Sequence, residues 1–94
     1  MEKFYVVNEN AMLNELEAQG AIFCQSEKGD EKIYYLNDTS MSVVLFLQTG
    51  KKRLIEIVDE IMRLYDVNFE ECKSDIEVLL KDLEMFKIID VIIE

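Results

Sequence analysis

The sequence predicts a small α+β domain in which strands come first and helices follow. Two short apolar runs, at residues 21–25 and 32–36, flank a turn that contains glycine, which is the pattern of a β-hairpin. Three later segments carry apolar residues at helical spacing. The chain has 94 residues, no proline and a hydrophobic fraction of 50%, which together indicate a single core.

The hairpin strands are rich in β-branched and aromatic residues, and Gly29 in the turn can take a positive φ. Tyr34 and Tyr35 are consecutive in the second strand, so their side chains point to opposite faces of the sheet. One ring can enter the core, and we expect the other to be about half exposed. An exposed tyrosine on an edge strand suits peptide recognition, although plain sheet packing is the more common reason for such a pair.

The first helix is expected over residues 41–47, with N-cap candidates at residues 37–40 and a stop at Gly50. The second is expected over residues 54–65 and the third over about residues 71–86. Their apolar faces predict one shared core that contains Ile57, Ile61, Leu64, Ile76, Leu79, Leu80 and Leu83.

The third helix carries a second apolar stripe. Val78 and Met85 lie one heptad apart, on a side bordered by Asp75, Asp82 and Phe86. The stripe either packs against another part of the chain or forms a lipophilic groove edged by carboxylates. The pattern leaves both interpretations open.

The two ends of the chain are harder to interpret. Residues 1–10 are expected to be an N-terminal tail preceding a domain at residues 11–94. Residues 11–18 have good helix propensity but also fit the alternation of a strand, and periodicity does not decide between them. Residues 88–93 are β-like and fit a terminal strand.

Composition excludes several functions. The formal net charge of -10 repels nucleic acid and anionic lipid, and the absence of histidine removes the usual general base and metal ligand. Cys24 and Cys72 are far apart in the sequence and are expected to be buried, reduced thiols, although the sequence leaves a disulfide between them open. We therefore expect no enzyme activity, no cofactor and no metal. With no signal sequence or membrane span in the pattern, the expected location is the cytoplasm.

Four local motifs occur in order between residues 11 and 89. They are Leu36-Asn37-Asp38-Thr39 at the passage from strand to helix, Gly50 followed by Leu54-Ile55-Glu56-Ile57-Val58, Tyr65-Asp66-Val67, and residues 75–83. In this order and spacing the chain resembles the PqqD-like family of peptide-recognition domains.

The resemblance implies three strands followed by three helices in a winged-helix-like arrangement, with the first strand at about residues 11–17. It also implies a non-catalytic module that binds the leader of a ribosomally made precursor peptide as an added strand, between the third strand and the third helix. A separate modifying enzyme, such as a radical SAM enzyme, a cyclase or a leader peptidase, would be the second partner. The implied peptide contacts are Lys32, Ile33, Tyr34, Tyr35, Leu36, Asp75, Val78, Leu79, Asp82, Met85 and Phe86.

Three positions depart from the family pattern. Arg53 stands where a capping threonine is common, Lys87 stands where a glycine usually ends the third helix, and Gly50 falls about one residue late. These departures concern the start of the second helix, the turn after the third, and the register of the first.

Other classes remain as alternatives. A winged-helix DNA-binding protein should have a basic recognition helix, but residues 70–87 carry six acidic residues and three lysines. A winged-helix regulator that acts through protein contacts is not subject to this objection. An acidic carrier protein would need Ser40 or Ser42 as its attachment point, in a motif that the sequence lacks. The basic run at residues 51–53 is either a solvated loop or a docking point for an acidic partner.

Overall fold

Three strands of one sheet precede the three helices, in the order that the sequence predicts. The computed structural model describes the backbone of residues 1–16, 19–25 and 31–94 and the side chains of residues 1–13 and 34–94. The elements are β1 (Lys3–Val7), β2 (Ala11–Leu16), β3 (Gln19–Gln25), β4 (Glu31–Leu36), α1 (Asp38–Leu47), α2 (Leu54–Leu64), α3 (Phe69–Met85) and β5 (Ile89–Ile93).

The central sheet has the order β2-β3-β4 and is antiparallel throughout. Strand β2 pairs with β3 from Ala11 opposite Cys24 to Leu16 opposite Gln19. Strand β4 pairs with the other side of β3, from Glu31 opposite Gln25 to Leu36 opposite Gly20. The segment left open between helix and strand is therefore a strand over residues 11–16, because ladder pairing with β3 outweighs its helix propensity. The predicted turn at residues 26–30 and the side chain of Cys24 lie outside the described residues.

The predicted N-terminal tail is wrong over Lys3–Val7. This segment pairs with β5 in an antiparallel ladder that runs from Lys3 opposite Ile93 to Val7 opposite Ile89. On its other side the Tyr5 N–H donates to the Lys52 carbonyl at 2.8 Å, and the Lys52 N–H donates back at 2.9 Å. Tyr5 is only 8% exposed, so burial of its ring and bonding on both sides hold the strand in place. The terminal strand expected at residues 88–93 is confirmed as β5.

Side-chain caps start the first and third helices. Asn37 Oδ1 accepts from the Ser40 N–H at 2.8 Å, and Asn68 Oδ1 accepts from the Glu71 N–H at 2.9 Å. Each bond satisfies one of the backbone donors that a helix N-terminus leaves unpaired. The caps extend α1 and α3 upstream of their predicted starts, to Asp38 and Phe69.

Arg53 does occupy the N-cap of α2, and Glu56 provides the capping contact. Glu56 Oε1 accepts from the Arg53 N–H at 2.9 Å and from Arg53 Nε at 3.2 Å, which is the reciprocal half of a capping box. These two hydrogen bonds hold the pKa of the Glu56 carboxyl below its ordinary value. The helix thus begins at Leu54 without a threonine.

Lys87 takes the position of a C-terminal glycine, with φ at 62°. The Ile88 N–H donates to the Leu83 carbonyl at 2.9 Å and the Lys87 N–H to the Glu84 carbonyl at 3.0 Å, which together form a Schellman motif. Ile88 and Leu83 are both fully buried, as this motif favours. The chain turns from α3 into β5 at Lys87, whose backbone is in the left-handed conformation. This conformation costs a non-glycine residue about 1–2 kcal/mol.

One core joins the helices to the strands. Its fully or almost fully buried members include five of the predicted residues, Ile57, Ile61, Ile76, Leu80 and Leu83, together with Leu36, Ile88 and Ile89. Leu79 is partly buried against this cluster. The prediction for Leu64 is wrong, because its side chain is 46% exposed at the end of α2. Cys72 is buried and free, as expected for a structural thiol.

Candidate functional site

Strand β4 forms one edge of the central sheet in the described part of the chain. It pairs with β3 on one side, and its other side has no strand neighbour among the described elements. An edge strand presents a row of N–H and C=O groups that can pair with another chain. The strand that the sequence assigned to peptide contact is thus placed where an added strand could reach it.

A groove of about 410 Å³ lies beside the end of β4. The start of α1 forms its base and α3 its opposite wall, and it is lined by Tyr34, Asn37, Thr39, Ser40, Asp75, Ile76, Val78, Leu79 and Asp82. The α3 residues at positions 75, 78, 79 and 82 share one face because they are spaced at three and four residues. Strand β4 and helix α3 therefore meet at a single concave site.

The two tyrosines of β4 have different surroundings. Tyr34 is half-buried, and its ring lies 4.8 Å from the ring of Phe86, centroid to centroid, at an interplanar angle of 44°. Tyr35 is 65% exposed. The expectation of one inner and one outer ring is confirmed, and the inner ring contacts the end of α3.

Val78 supplies exposed apolar surface inside the groove. Its side chain is 60% exposed, between Asp75 and Asp82, whose carboxylates also face solvent. An exposed apolar side chain in a concave site loses water when a ligand covers it, and nearby carboxylates favour a cationic ligand. The groove is therefore suited to a peptide that combines apolar and basic residues.

Some predicted contacts are placed differently. The Leu36 side chain is 3% exposed and belongs to the core, so only its backbone can reach a ligand. Met85 is 73% exposed but lies outside the groove lining, because it follows Val78 by two turns, beyond the end of the cavity. The side chains of Lys32 and Ile33 are outside the described residues.

Sequence reasoning assigned Ile76 only to the core, and it missed three further residues that line the groove: Asn37, Thr39 and Ser40. Two of them belong to the motif Leu36-Asn37-Asp38-Thr39, which was used only as a family marker. That motif connects β4 to α1, which places Asn37 and Thr39 beside the end of the strand. A strand-to-helix junction next to a suspected binding edge was the signal that could have found them.

The two serines that a carrier protein could use for attachment are either buried or hydrogen-bonded within the fold. Ser40 is 7% exposed, and Ser42 Oγ donates to the Asp38 carbonyl at 3.1 Å and lies 3.0 Å from the Tyr65 hydroxyl. A serine that carries a prosthetic arm must be accessible. The structure therefore does not favour the carrier interpretation.

The basic run at residues 51–53 makes contacts within the fold. Lys51 forms a salt bridge with Glu94, and the Lys52 ammonium lies 5.0 Å from the centre of the Phe46 ring. Arg53 is bonded to the first turn of α2, as described above. These contacts favour a loop that stabilises the fold over a docking point for an acidic partner.

Neither a metal site nor a membrane span is found in the described part of the chain. No group of three or more Cys, Asp or Glu side chains there is arranged to hold a metal ion. None of the described helices is long and apolar enough to cross a bilayer.

The fold and the groove define a small α+β domain with an open strand edge beside a helix. The chain belongs to the PqqD family, since the family described as Coenzyme PQQ synthesis protein D (PqqD) matches residues 26–89. A comparison with curated proteins finds no match.

Two solved structures share the fold. One is TbiB1 in complex with the TbiA(beta) leader peptide, with a TM-score of 0.77, 19% identity, and coverage of 90% of this chain and 94% of the other. The second is lasso peptide synthetase B1 complexed with the leader peptide, with a TM-score of 0.74, 16% identity, and coverage of 92% and 96%. In both cases the similar protein was solved with a leader peptide bound.

Proposed function

We propose that this chain is a non-catalytic module that binds the leader of a ribosomally made precursor peptide and presents it to a separate modifying enzyme. The observation that carries the proposal is the position of the open edge of β4 beside the groove formed with α3. The two similar structures with bound leader peptides support the same ligand class. A radical SAM enzyme, a cyclase or a leader peptidase would act on the bound precursor.

The proposed binding mode is β-strand addition. Backbone groups on the open edge of β4 would supply sequence-independent hydrogen bonds, and the groove would select alternate side chains of the leader. Tyr34, Val78 and Leu79 offer the apolar surface for those side chains. Tyr35, on the opposite face, would cover the outward-facing side chains of the added strand.

Charge should favour a leader with basic residues. The chain carries a net charge of -10, and Asp75 and Asp82 both line the groove. The negative charge of the chain would attract a cationic segment of the leader over a distance that shortens as ionic strength rises, and the carboxylates of Asp75 and Asp82 would hold it. We expect the affinity to fall as salt is raised.

The arrangement of β2–β4 with α1–α3 fits the winged-helix-like architecture that the family resemblance implies. Its helix α3 would not serve nucleic acid, because residues 70–87 carry six acidic residues against three lysines. A chain without histidine lacks the usual neutral-pH base, which supports binding rather than catalysis. The cytoplasm, where ribosomes make the precursor, is the proposed place of binding.

A precursor gene is expected beside the gene for this chain, and the test is a titration of its leader peptide into the wild-type chain, Val78→Glu and Ile55→Glu. Val78→Glu places a charge in the groove and should weaken binding about tenfold or more, the loss expected when one apolar side chain is excluded from its site. Ile55 is 44% exposed on α2, away from the groove, so Ile55→Glu is the matched control and should bind as wild type. Equal affinity for all three would place the binding site elsewhere.

A second experiment tests the strand mode itself. In an added strand, alternate residues direct their N–H groups toward the protein. Leaders that are N-methylated at successive positions should therefore bind with alternating affinity across the paired segment. A uniform response to methylation would reject strand addition while leaving peptide binding intact.

A further inference from the structure

A second cavity adjoins the groove. It has a volume of about 140 Å³ and lies where α1, α2 and α3 meet, lined by Thr39, Ile61, Tyr65, Val67, Cys72, Asp75 and Ile76. Thr39, Asp75 and Ile76 line both cavities. The two spaces are therefore neighbours across these three residues.

The walls of the second cavity are held in place by the fold. The Tyr65 hydroxyl donates to the Asp38 carbonyl at 3.3 Å and lies 3.0 Å from Ser42 Oγ, which fixes the ring between α1 and α2. Ile61 and Cys72 are 3% and 4% exposed. Burial, with a smaller contribution from Asp75, raises the pKa of the Cys72 thiol, which keeps it neutral. The inner wall of the cavity, formed by Ile61, Cys72 and Ile76, is thus apolar and part of the packed core.

Val67 is an exposed apolar residue of the cavity wall. It is 40% exposed in the loop between α2 and α3, so a ligand side chain in the cavity could cover it. A cavity of about 150 Å³ can hold a benzene-sized group. The volume here suits one leucine, isoleucine or phenylalanine side chain.

We propose that the leader continues past the Leu36 end of β4, crosses Thr39 and Asp75, and places one apolar side chain in this second cavity. This inference rests on the proposed function and extends its binding site beyond the added strand. An added strand runs alongside β4, and β4 leads directly into the cap and first turn of α1, where Thr39 lies. Whichever end of the leader lies beside Leu36 is therefore directed toward the shared wall.

The crossing point also selects for charge. Asp75 is exposed and belongs to the lining of both cavities, so the leader passes a carboxylate between its strand and its apolar anchor. A lysine or arginine at that place is favoured and an acidic residue is repelled. The predicted recognition pattern is a strand segment, then a basic residue, then a single large apolar residue.

The experiment uses the leader peptide of the precursor gene expected beside this gene. Amide hydrogen exchange first identifies the leader segment that protects the β4 amides. The intact leader is then compared with two truncated forms, one lacking the residues before that segment and the other lacking the residues after it. Each peptide is titrated into the wild-type chain, Val67→Glu, Val78→Glu and Ile55→Glu, with circular dichroism as the folding control. Val67→Glu should weaken the intact leader about tenfold, as expected when one aliphatic side chain loses its site. Ile55→Glu, a matched apolar-to-acidic change at a similarly exposed residue, should not.

The truncated leader that lacks the apolar anchor should bind the wild-type chain about tenfold more weakly than the intact leader does. It should bind Val67→Glu no more weakly than the intact leader binds that variant, because the truncation and the substitution remove the same contact. Amide shifts at Thr39 and Cys72 on addition of the intact leader should be lost with that truncated form. The inference is overturned if Val78→Glu weakens binding while Val67→Glu and both truncations leave it unchanged, a result under which the proposed function still stands. If the leader does not bind the wild-type chain, the proposed function and this inference both fail.

Discussion

Tyr34 of β4 and Phe86 at the C-cap of α3 are in direct contact, with ring centroids 4.8 Å apart and ring planes at 44°. Such tilted aromatic pairs contribute about 0.5–1.5 kcal/mol beyond the area they bury. Because β4 and α3 are the two walls of the groove, this contact fixes the distance between them. It links the edge strand to the C-terminal end of the helix.

Phe86→Ala should weaken leader binding about three- to tenfold, because the walls of the groove lose the contact that sets their spacing. Phe69→Ala is the matched control, since Phe69 is 39% exposed at the other end of α3 and Phe86 is 44% exposed. Calorimetric titration of both variants checks the prediction. An equal loss in the two variants would mean that the effect comes from the helix and not from the Tyr34 contact.

Leu80→Ala should lower the free energy of unfolding by roughly 2–5 kcal/mol, the cost of a large-to-small change in a packed core. Leu80 is 1% exposed. Leu64→Ala, at a leucine that the sequence also assigned to the core but that is 46% exposed, should cost less than about 1 kcal/mol. Urea unfolding of the two variants gives both values, and a loss under about 0.5 kcal/mol for Leu80→Ala would place it outside the core.

Lys87→Gly should be more stable than Lys87→Ala by about 1 kcal/mol. Both variants remove the lysine side chain and its contacts, but only glycine takes a φ of 62° without strain. The difference in stability between the two variants therefore measures the free-energy cost of the backbone conformation at residue 87. Thermal unfolding midpoints that coincide for the two would show that the turn carries no strain.

Glu56→Gln should lower stability at neutral pH by about 0.5 kcal/mol, a value reduced for the solvent exposure of this side chain. The pKa of Glu56 is held below its ordinary value of 4.5, so its charged form stabilises the fold above that pH and ceases to do so as pH falls through the lowered value. The difference between wild type and variant should therefore shrink below about pH 4.5. Asp59→Asn, later in α2, controls for the general loss of an acidic charge, and an equal pH response there would rule out the capping contact as the cause.

Local chemistry in the sequence was enough for much of the fold. The hairpin strands, the three helices, the Asn37 cap and the stop at Gly50, whose φ is 138°, follow from propensity, capping and periodicity, each of which acts over a few residues. The acidic charge of α3 likewise argued against a nucleic-acid ligand from the sequence alone. The groove residues Asp75, Val78 and Asp82 were found because helical spacing alone places them on one side of α3.

Only the tertiary structure decided what depends on contacts between distant segments. Strand β1 exists because Tyr5 pairs with Lys52 and with β5, partners that lie 47 and 86 residues further along the chain, and no local pattern records such a pairing. The same holds for Leu64 and Leu36, whose exposure and burial depend on which elements pack over them. The second cavity is decided in the same way, because its walls come from three helices and their shape is a property of packing rather than of any one segment.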